Sequence, residues 1–334
     1  MKITIKDISR ELNLSKTTVS FVLSGNGTAM GISEKTQNRV LQYAKEMGYQ
    51  PNLLARSLYS GRTNTIGVIV PSIGDAFYAE LVRECEIEAK KNGYIITICS
   101  SERDFKQEVK MIRTLKTKQV DGLIIAPTEY CEQELNGLLK ENFPFVLVDR
   151  FCPSIKTNYV VIDDSGTTQV LMNKLINEGR KRIALITPDT NISVTTLRNE
   201  AYENALQKAG IPFDENLVCK VKRDIYEKDI ILVLENLLKN NPDVDGFYFT
   251  THYLALETVL YFLRNNINMN KYGLACIHRN PIFKTLAPSM YVATIPLDKM
   301  GSEAVRILLN EIDSKEIIEE KIGYVISLSK TLSV

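Results

Sequence analysis

From residue 63 onward the chain alternates short β-branched runs with longer amphipathic segments. Strands interleaved with helices in this way pair side by side in a parallel sheet that the helices cover, and no other feature narrows the fold as far. Strand candidates lie at 66–70, 94–99, 122–126, 145–149, 159–163, 182–187, 246–250, 273–277, 291–295 and 323–328. Helix candidates lie between them at 77–92, 105–118, 131–141, 167–178, 196–209, 227–240, 253–265 and 297–311. Asn92-Gly93, Glu178-Gly179 and Ala209-Gly210 read as helix stops, because glycine accepts the left-handed conformation just past a helix end. One sheet of ten strands would be large, so two similar α/β lobes are expected.

Residues 1–62 follow a different rule. Helical patterns at 5–12, 16–23 and 33–47 crowd together without a strand, and a short apolar stretch at 52–58 sits between Pro51 and Gly61. In the first pair, Ile8 and Leu12 face inward, Leu14 fills the turn, Ser15 can cap the second helix, and Val19, Val22 and Leu23 return to the core at helical spacing. Lys16, Thr17 and Ser20 then face outward at the start of the second helix. These short donors suit base edges or phosphates, as in a helix-turn-helix. The bland alternative is an ordinary three-helix cap with a solvated face.

Charge separates those two readings. The whole chain carries only +1, from 41 Lys and Arg against 40 Asp and Glu. Residues 1–62 hold nine of the basic and four of the acidic residues, a charge of +5, and the remainder carries −4. A small basic module on a mildly acidic body is what attraction to phosphate selects.

Other classes are disfavoured. Lys2, Lys6 and Asp7 open the chain without an apolar h-region, so no export signal is read and a cytosolic location is expected. The apolar runs fall far short of the ~20 residues that span a bilayer, and no membrane association is expected. Cys85, Cys99, Cys131, Cys152, Cys219 and Cys276 are scattered without a C-x-x-C pair, and only two histidines could join them. No metal, no cofactor and reduced, packed thiols are therefore expected. Neither a P-loop nor a G-x-S-x-G elbow occurs, and no catalytic residues are assigned. Gly25-Asn26-Gly27-Thr28-Ala29-Met30-Gly31 superficially matches a dinucleotide loop, but a helix precedes it, and it reads as a flexible connection between the second and third helices.

At this point the chain resembles the LacI/GalR family of bacterial transcription regulators. The matching stretches run in order along nearly its whole length. They include Thr4-Ile5-Lys6-Asp7-Ile8, Ser15-Lys16-Thr17-Thr18-Val19-Ser20, Gly48-Tyr49-Gln50-Pro51-Asn52, Ala55-Arg56-Ser57-Leu58 and Thr65-Ile66-Gly67-Val68-Ile69-Val70-Pro71. Val120-Asp121-Gly122-Leu123-Ile124, Val148-Asp149-Arg150 and Lys181-Arg182-Ile183-Ala184 continue the series. The resemblance implies an all-α helix-turn-helix module followed by two doubly wound α/β lobes of the periplasmic-binding-protein type I kind. Its implied boundaries are 1–50 for the DNA-binding domain and 51–62 for a hinge helix and linker. The first lobe would comprise 63–161 plus 296–322, and the second 162–295 plus 323–334.

Site residues follow by the same resemblance. Lys16 and Thr17 enter the major groove, while Thr4, Ser15, Thr18 and Ser20 favour phosphates. Phe21 stands where the family often has arginine, so a contact to guanine is lost and the operator cannot be copied from relatives. Asn52, Ala55, Arg56 and Leu58 fall on a hinge that orders on DNA, Leu58 being the apolar wedge at a minor-groove step.

In the family a small molecule, often a sugar, binds between the lobes at the strand ends. Asp75, Phe77 and Tyr78 match the first lobe's share, and Arg198 matches an arginine that points at the ligand. Two positions depart from sugar-binding relatives: Thr251-His252 replaces asparagine-aspartate, and His278-Arg279 replaces aspartates. With acceptors lost and donors gained, the effector is expected to be anionic, such as a sugar derivative with phosphate or carboxylate.

The implied function is a homodimeric repressor of carbohydrate or related catabolic genes, cytoplasmic and nucleoid-associated. It would bind double-stranded operator DNA and be controlled by that effector through the way the hinge segments meet. Open alternatives are the same regulator with a degenerate small-molecule site under a protein co-regulator, or an α/β solute-binding protein or enzyme.

Overall fold

The computed structural model describes residues 3–49 and 61–314, with backbone strands at 323–326 and 332–333. The chain divides into two compact units, Met1–Thr63 and Asn64–Val334.

The first unit contains α1 (Ile5–Glu11), α2 (Lys16–Leu23) and α3 (Glu34–Glu46). Each starts where a hydroxyl takes up an otherwise orphaned amide. Thr4 and Asp7 form a reciprocal capping box on α1, Ser15 accepts from Thr18 N at 3.0 Å on α2, and Ser33 accepts from Thr36 N on α3. Ile8, Val19, Val22, Val40 and Ala44 make the buried core, with Leu12, Leu14 and Leu23 packed against it. The glycine loop between α2 and α3 is fastened rather than loose. Gln37 Nε2 donates to Ile32 O at 2.7 Å, and Gly27 is buried where a Cβ would meet the Gln37 side chain at 2.6 Å.

The second unit has two six-stranded sheets. The first has the order β11-β5-β4-β3-β1-β2, all parallel, from β1 (Thr65–Val70), β2 (Ile95–Ser100), β3 (Gly122–Ile125), β4 (Phe145–Val148), β5 (Tyr159–Ile162) and β11 (Gly323–Ile326). The second has the order β12-β10-β9-β8-β6-β7, from β6 (Ile183–Pro188), β7 (Val218–Val221), β8 (Gly246–Phe249), β9 (Gly273–Ile277), β10 (Tyr291–Ala293) and β12 (Leu332–Ser333). Only β12 runs antiparallel to its neighbour. β3, β4, β6, β8 and β9 are buried along their whole length, the expected state of parallel strands covered on both faces.

The helices are α4 (Ala76–Lys91), α5 (Phe105–Thr117), α6 (Glu132–Lys140), α7 (Asp164–Asn177), α8 (Ser193–Lys208), α9 (Tyr226–Asn240), α10 (His252–Arg264), α11 (Phe283–Leu286) and α12 (Leu297–Ser314). On α12, Met300, Ala304, Leu308 and Ile312 recur every fourth residue as a buried stripe. Gly301 brings α12 against α4: a Cβ there would lie 2.7 Å from Glu84 Cβ and 2.8 Å from Cys85 N. One apolar cluster continues across both sheets, from Val68 and Ile124 to Leu185 and Tyr248.

The two-lobe expectation holds, with three corrections. β7 and β12 were absent from the expected strands; both are short, and β7 lies at a sheet edge with Lys220 exposed. Gly323–Ile326, expected in the second lobe, pairs in parallel with β5 of the first. α12 packs on the first lobe, so the run that follows it reaches the open edge of β5 before the chain passes to β12 in the second. The chain therefore passes between the lobes three times, after β5, after β10 and after β11.

Candidate functional site

In the first unit the turn between α1 and α2 is locked by Ser9 Oγ donating to Leu14 O at 2.6 Å and by Asn13 in a left-handed conformation, φ 52°. This orients α2 so that Val19 and Val22 are buried while Lys16, Thr17 and Ser20 are exposed. Phe21 and Thr18 are half-buried. The hydroxyls of Thr4, Ser15 and Thr18 already have partners in the helix caps, Thr4 Oγ1 donating to Asp7 at 2.6 Å and Ser15 Oγ lying 2.8 Å from Thr18 Oγ1. Asn52, Ala55, Arg56 and Leu58 lie outside the described residues.

In the second unit a cavity of about 60 Å³ lies between the lobes. Its walls come from segments that follow the carboxyl ends of six strands: Asp75, Phe77 and Tyr78 after β1, Asp149 and Arg150 after β4, Thr195 and Arg198 after β6, Arg223 after β7, Thr250 to Tyr253 after β8, and His278 after β9. That is where open parallel sheets place ligands. Asp149 and His278 both adopt left-handed backbone, φ 63° and 70°.

Polar groups meet across the cleft. Asp75 caps α4 by accepting from Phe77 N at 3.0 Å, and its Oδ1 is 3.5 Å from His252 Nε2 of the other lobe. The rings of Phe77 and His278 meet edge to face at 5.0 Å, and those of His252 and His278 at 5.1 Å. Tyr78 Oη donates to Asp149 at 2.7 Å and accepts from Arg150, which also donates to Pro127 O. Arg198 Nε donates to Asp164 at 2.7 Å and Nη1 to Thr250 O at 2.5 Å. These contacts leave the cavity smaller than the ~300–1,000 Å³ typical of small-molecule pockets.

Burial sets the protonation states. It pushes His278 down to about 3, with the nearby cations Arg198 and Arg279 acting in the same direction, and it lowers His252 against the pull of Asp75. Both imidazoles are therefore neutral near pH 7. Burial raises Asp164 to about 6 even though Arg198 pulls it down.

Of the residues read from sequence, Asp75, Phe77, Tyr78, Arg198, His252 and His278 line this one cavity. Arg279 does not. It lies exposed, and its Nη2 donates to Glu80 at 2.8 Å. Sequence reasoning missed Asp149, Arg150, Arg223 and Tyr253 as cleft residues. Asp149 and Arg150 stood within a matching stretch without a role, and Arg223 sits in the charged run Lys220-Val221-Lys222-Arg223-Asp224, which reads as a solvated face. Among the described residues no cluster of His, Cys, Asp and Glu could hold a metal, and no helix is long and apolar enough to cross a membrane. All six cysteines are free; Cys131 and Cys152 approach to 3.5 Å between sulfurs.

Comparison with known proteins places both units. Residues 4–52 match the bacterial regulatory proteins of the lacI family, and residues 63–326 match the periplasmic binding proteins and sugar binding domain of the LacI family. The transcriptional regulator RegA of Clostridium saccharobutylicum is 32% identical over 325 residues, covering 96% of this chain and 95% of that protein. Among solved structures, the Lac repressor dimer bound to operator and an anti-inducer is similar with a TM-score of 0.84 at 16% identity, over 98% of this chain and 97% of that one. A CelR–cellobiose complex is similar with a TM-score of 0.72 at 22% identity, over 99% of each chain. This chain belongs to the LacI family of bacterial regulatory proteins: it is a DNA-binding transcriptional regulator with a helix-turn-helix head and a periplasmic-binding-protein-like sensor.

Proposed function

We propose that the chain is a homodimeric repressor of carbohydrate or related catabolic genes, with no enzymatic step, acting in the cytoplasm on the nucleoid. Two heads, each of residues 1–50, bind the half-sites of a double-stranded, pseudo-palindromic operator so that protein and DNA share one twofold axis. Lys16 and Thr17, exposed at the start of α2, read the major groove with Phe21 beside them, and the exposed Ser20 faces phosphate. Thr4, Ser15 and Thr18, at the caps of α1 and α2, favour phosphates together with the orphan amides at the start of α2. Asn52, Ala55, Arg56 and Leu58 of the 51–62 hinge contact the minor groove, with Leu58 as wedge.

The sensor takes a small sugar derivative carrying a phosphate or carboxylate. One observation carries this: Arg223 Nε, Thr251 Oγ1, Tyr253 Oη and His278 Nδ1 are buried without a hydrogen-bond partner, and all belong to residues lining the same cavity. Buried polar groups are almost always satisfied, so such a concentration of unpartnered atoms around one space supports a built polar site. The ligand parts the contacts of Asp75 with His252 and Phe77 with His278 and substitutes its own, which changes the relation of the lobes and biases the hinges.

A gel shift with genomic fragments tests the regulator: the full chain retains a specific fragment and a chain lacking residues 1–62 does not. Adding sugars and sugar phosphates tests the sensor, since one of them changes the fraction bound. Retention of the fragment by the headless chain, or indifference to every ligand class, would overturn the corresponding half.

A further inference from the structure

Among the described charged groups of the cleft, all but one have a hydrogen-bond or ion-pair partner in the protein. Arg150 is held by Asp149, Tyr78 and Pro127, Arg198 by Asp164 and Thr250, and Asp75 by Phe77 and His252. Arg223 has a ring but no anion or acceptor: its Nε is buried without an acceptor, no carboxylate forms an ion pair with it, and its guanidinium lies over the Tyr253 ring, 6.0 Å from the centre. A second cavity of about 540 Å³ adjoins, and Arg150, Ile192 and Arg223 line both. The second cavity adds Arg103 and Lys222, against Glu129, Asp189 and Asp224, and Glu129 already accepts from Asn191 N.

We infer that Arg223 is the residue by which this cleft selects an anion: it holds the phosphate or carboxylate of a sugar derivative at the passage between the two cavities, with Arg150 alongside. The uncharged hydroxyls of the same ligand face His278 and His252. This assignment rests on the effector reading above and moves the anion away from the histidines and Arg279, where sequence had put it.

The chemistry supports the direction. Arg223 is half-buried with its Nε shielded and without an acceptor, and a planar fork suits the paired oxygens of phosphate or carboxylate. Burial and the neighbouring cation Arg150 both act against the charge on Arg223, so a ligand anion relieves a repulsion as well as filling a donor. Neutral His278 and Tyr253 Oη offer hydrogen bonds without charge, which fits hydroxyls. The ligand is therefore polarised, with its anionic end toward the β7 side of the second lobe and its hydroxylated end toward the strand ends of β8 and β9.

Calorimetry on the full-length protein with paired probes tests this: neutral hexoses and pentoses against their phosphates and uronic acids, with inorganic phosphate alone as a further arm. At least one anionic probe should bind tenfold or more tighter than its neutral parent. Arg223→Gln should shrink that preference to within about twofold, Arg223→Lys should keep part of it, and Arg279→Ala should leave it intact. A preference that survives in a folded Arg223→Gln protein overturns the assignment while leaving the effector reading standing, whereas a parent sugar binding as tightly as its anion overturns both. Failure of every probe, neutral and anionic, overturns both.

Discussion

His278 combines three properties on one residue: left-handed backbone, near-complete burial and an Nδ1 without a partner. Its folded-state pKa is depressed to about 3 from 6.5. Above 6.5 both folded and unfolded chains hold it neutral. As pH falls from 6.5 toward 3 only the unfolded chain takes up the proton, so stability is progressively lost across that window. With two histidines in the chain, imidazole NMR resolves them individually. His278 should show no titration between pH 8 and 4.5; a midpoint near 6 would refute the burial account. Sequence located both cleft histidines as hydrogen-bonding groups but left their charge open, because the neutrality of His278 comes from the packing of Phe77 and His252 around it, which no local pattern encodes. Arg279 was misplaced for a related reason: its neighbour in sequence enters the cleft, while it turns outward to Glu80, a residue 199 positions away. Arg223 became legible only once the short strand before it was known.

At the level of elements, the fit of α12 to α4 depends on Gly301, whose missing side chain lets the Glu84 and Cys85 backbone come close. Gly301→Ala should force the helices apart and cost about 1–3 kcal/mol, the usual penalty of overpacking, read as a lowered thermal midpoint. In the head, Ile8 is fully buried among only a handful of side chains. Ile8→Ala should cost about 2–5 kcal/mol, and because head and sensor are separate compact units, circular dichroism should show the head melting early while the sensor transition stays put. Helix starts were the most legible elements, since Ser15 and the residues around Thr4 announce their caps locally. Edge strands were the least. β7 has four residues with alternating burial, and β11 is an apolar run that either sheet edge could accept, so its partner was decided by where α12 docks.

For the molecule as a whole, the +1 of the complete chain is the sum of a +5 head and a −4 remainder. Operator affinity should therefore fall steeply with salt, and a plot of log affinity against log salt should be shallower by about one in Lys16→Ala if that lysine neutralises a phosphate. An unchanged slope with weakened binding would assign Lys16 to a base edge instead. The two-lobe plan was readable from the strand and helix alternation alone, and the head from its helix spacing and charge. What could not be read was the threading of the C-terminal strands. That threading has a consequence for recombination. The head is one continuous stretch that a single crossover near residue 63 can exchange, so relatives can trade operator preference in one genetic event. Neither lobe is continuous, because the chain passes between them three times, and no single junction can transplant half a cleft. On this connectivity the head can be exchanged as one piece, whereas half a cleft cannot.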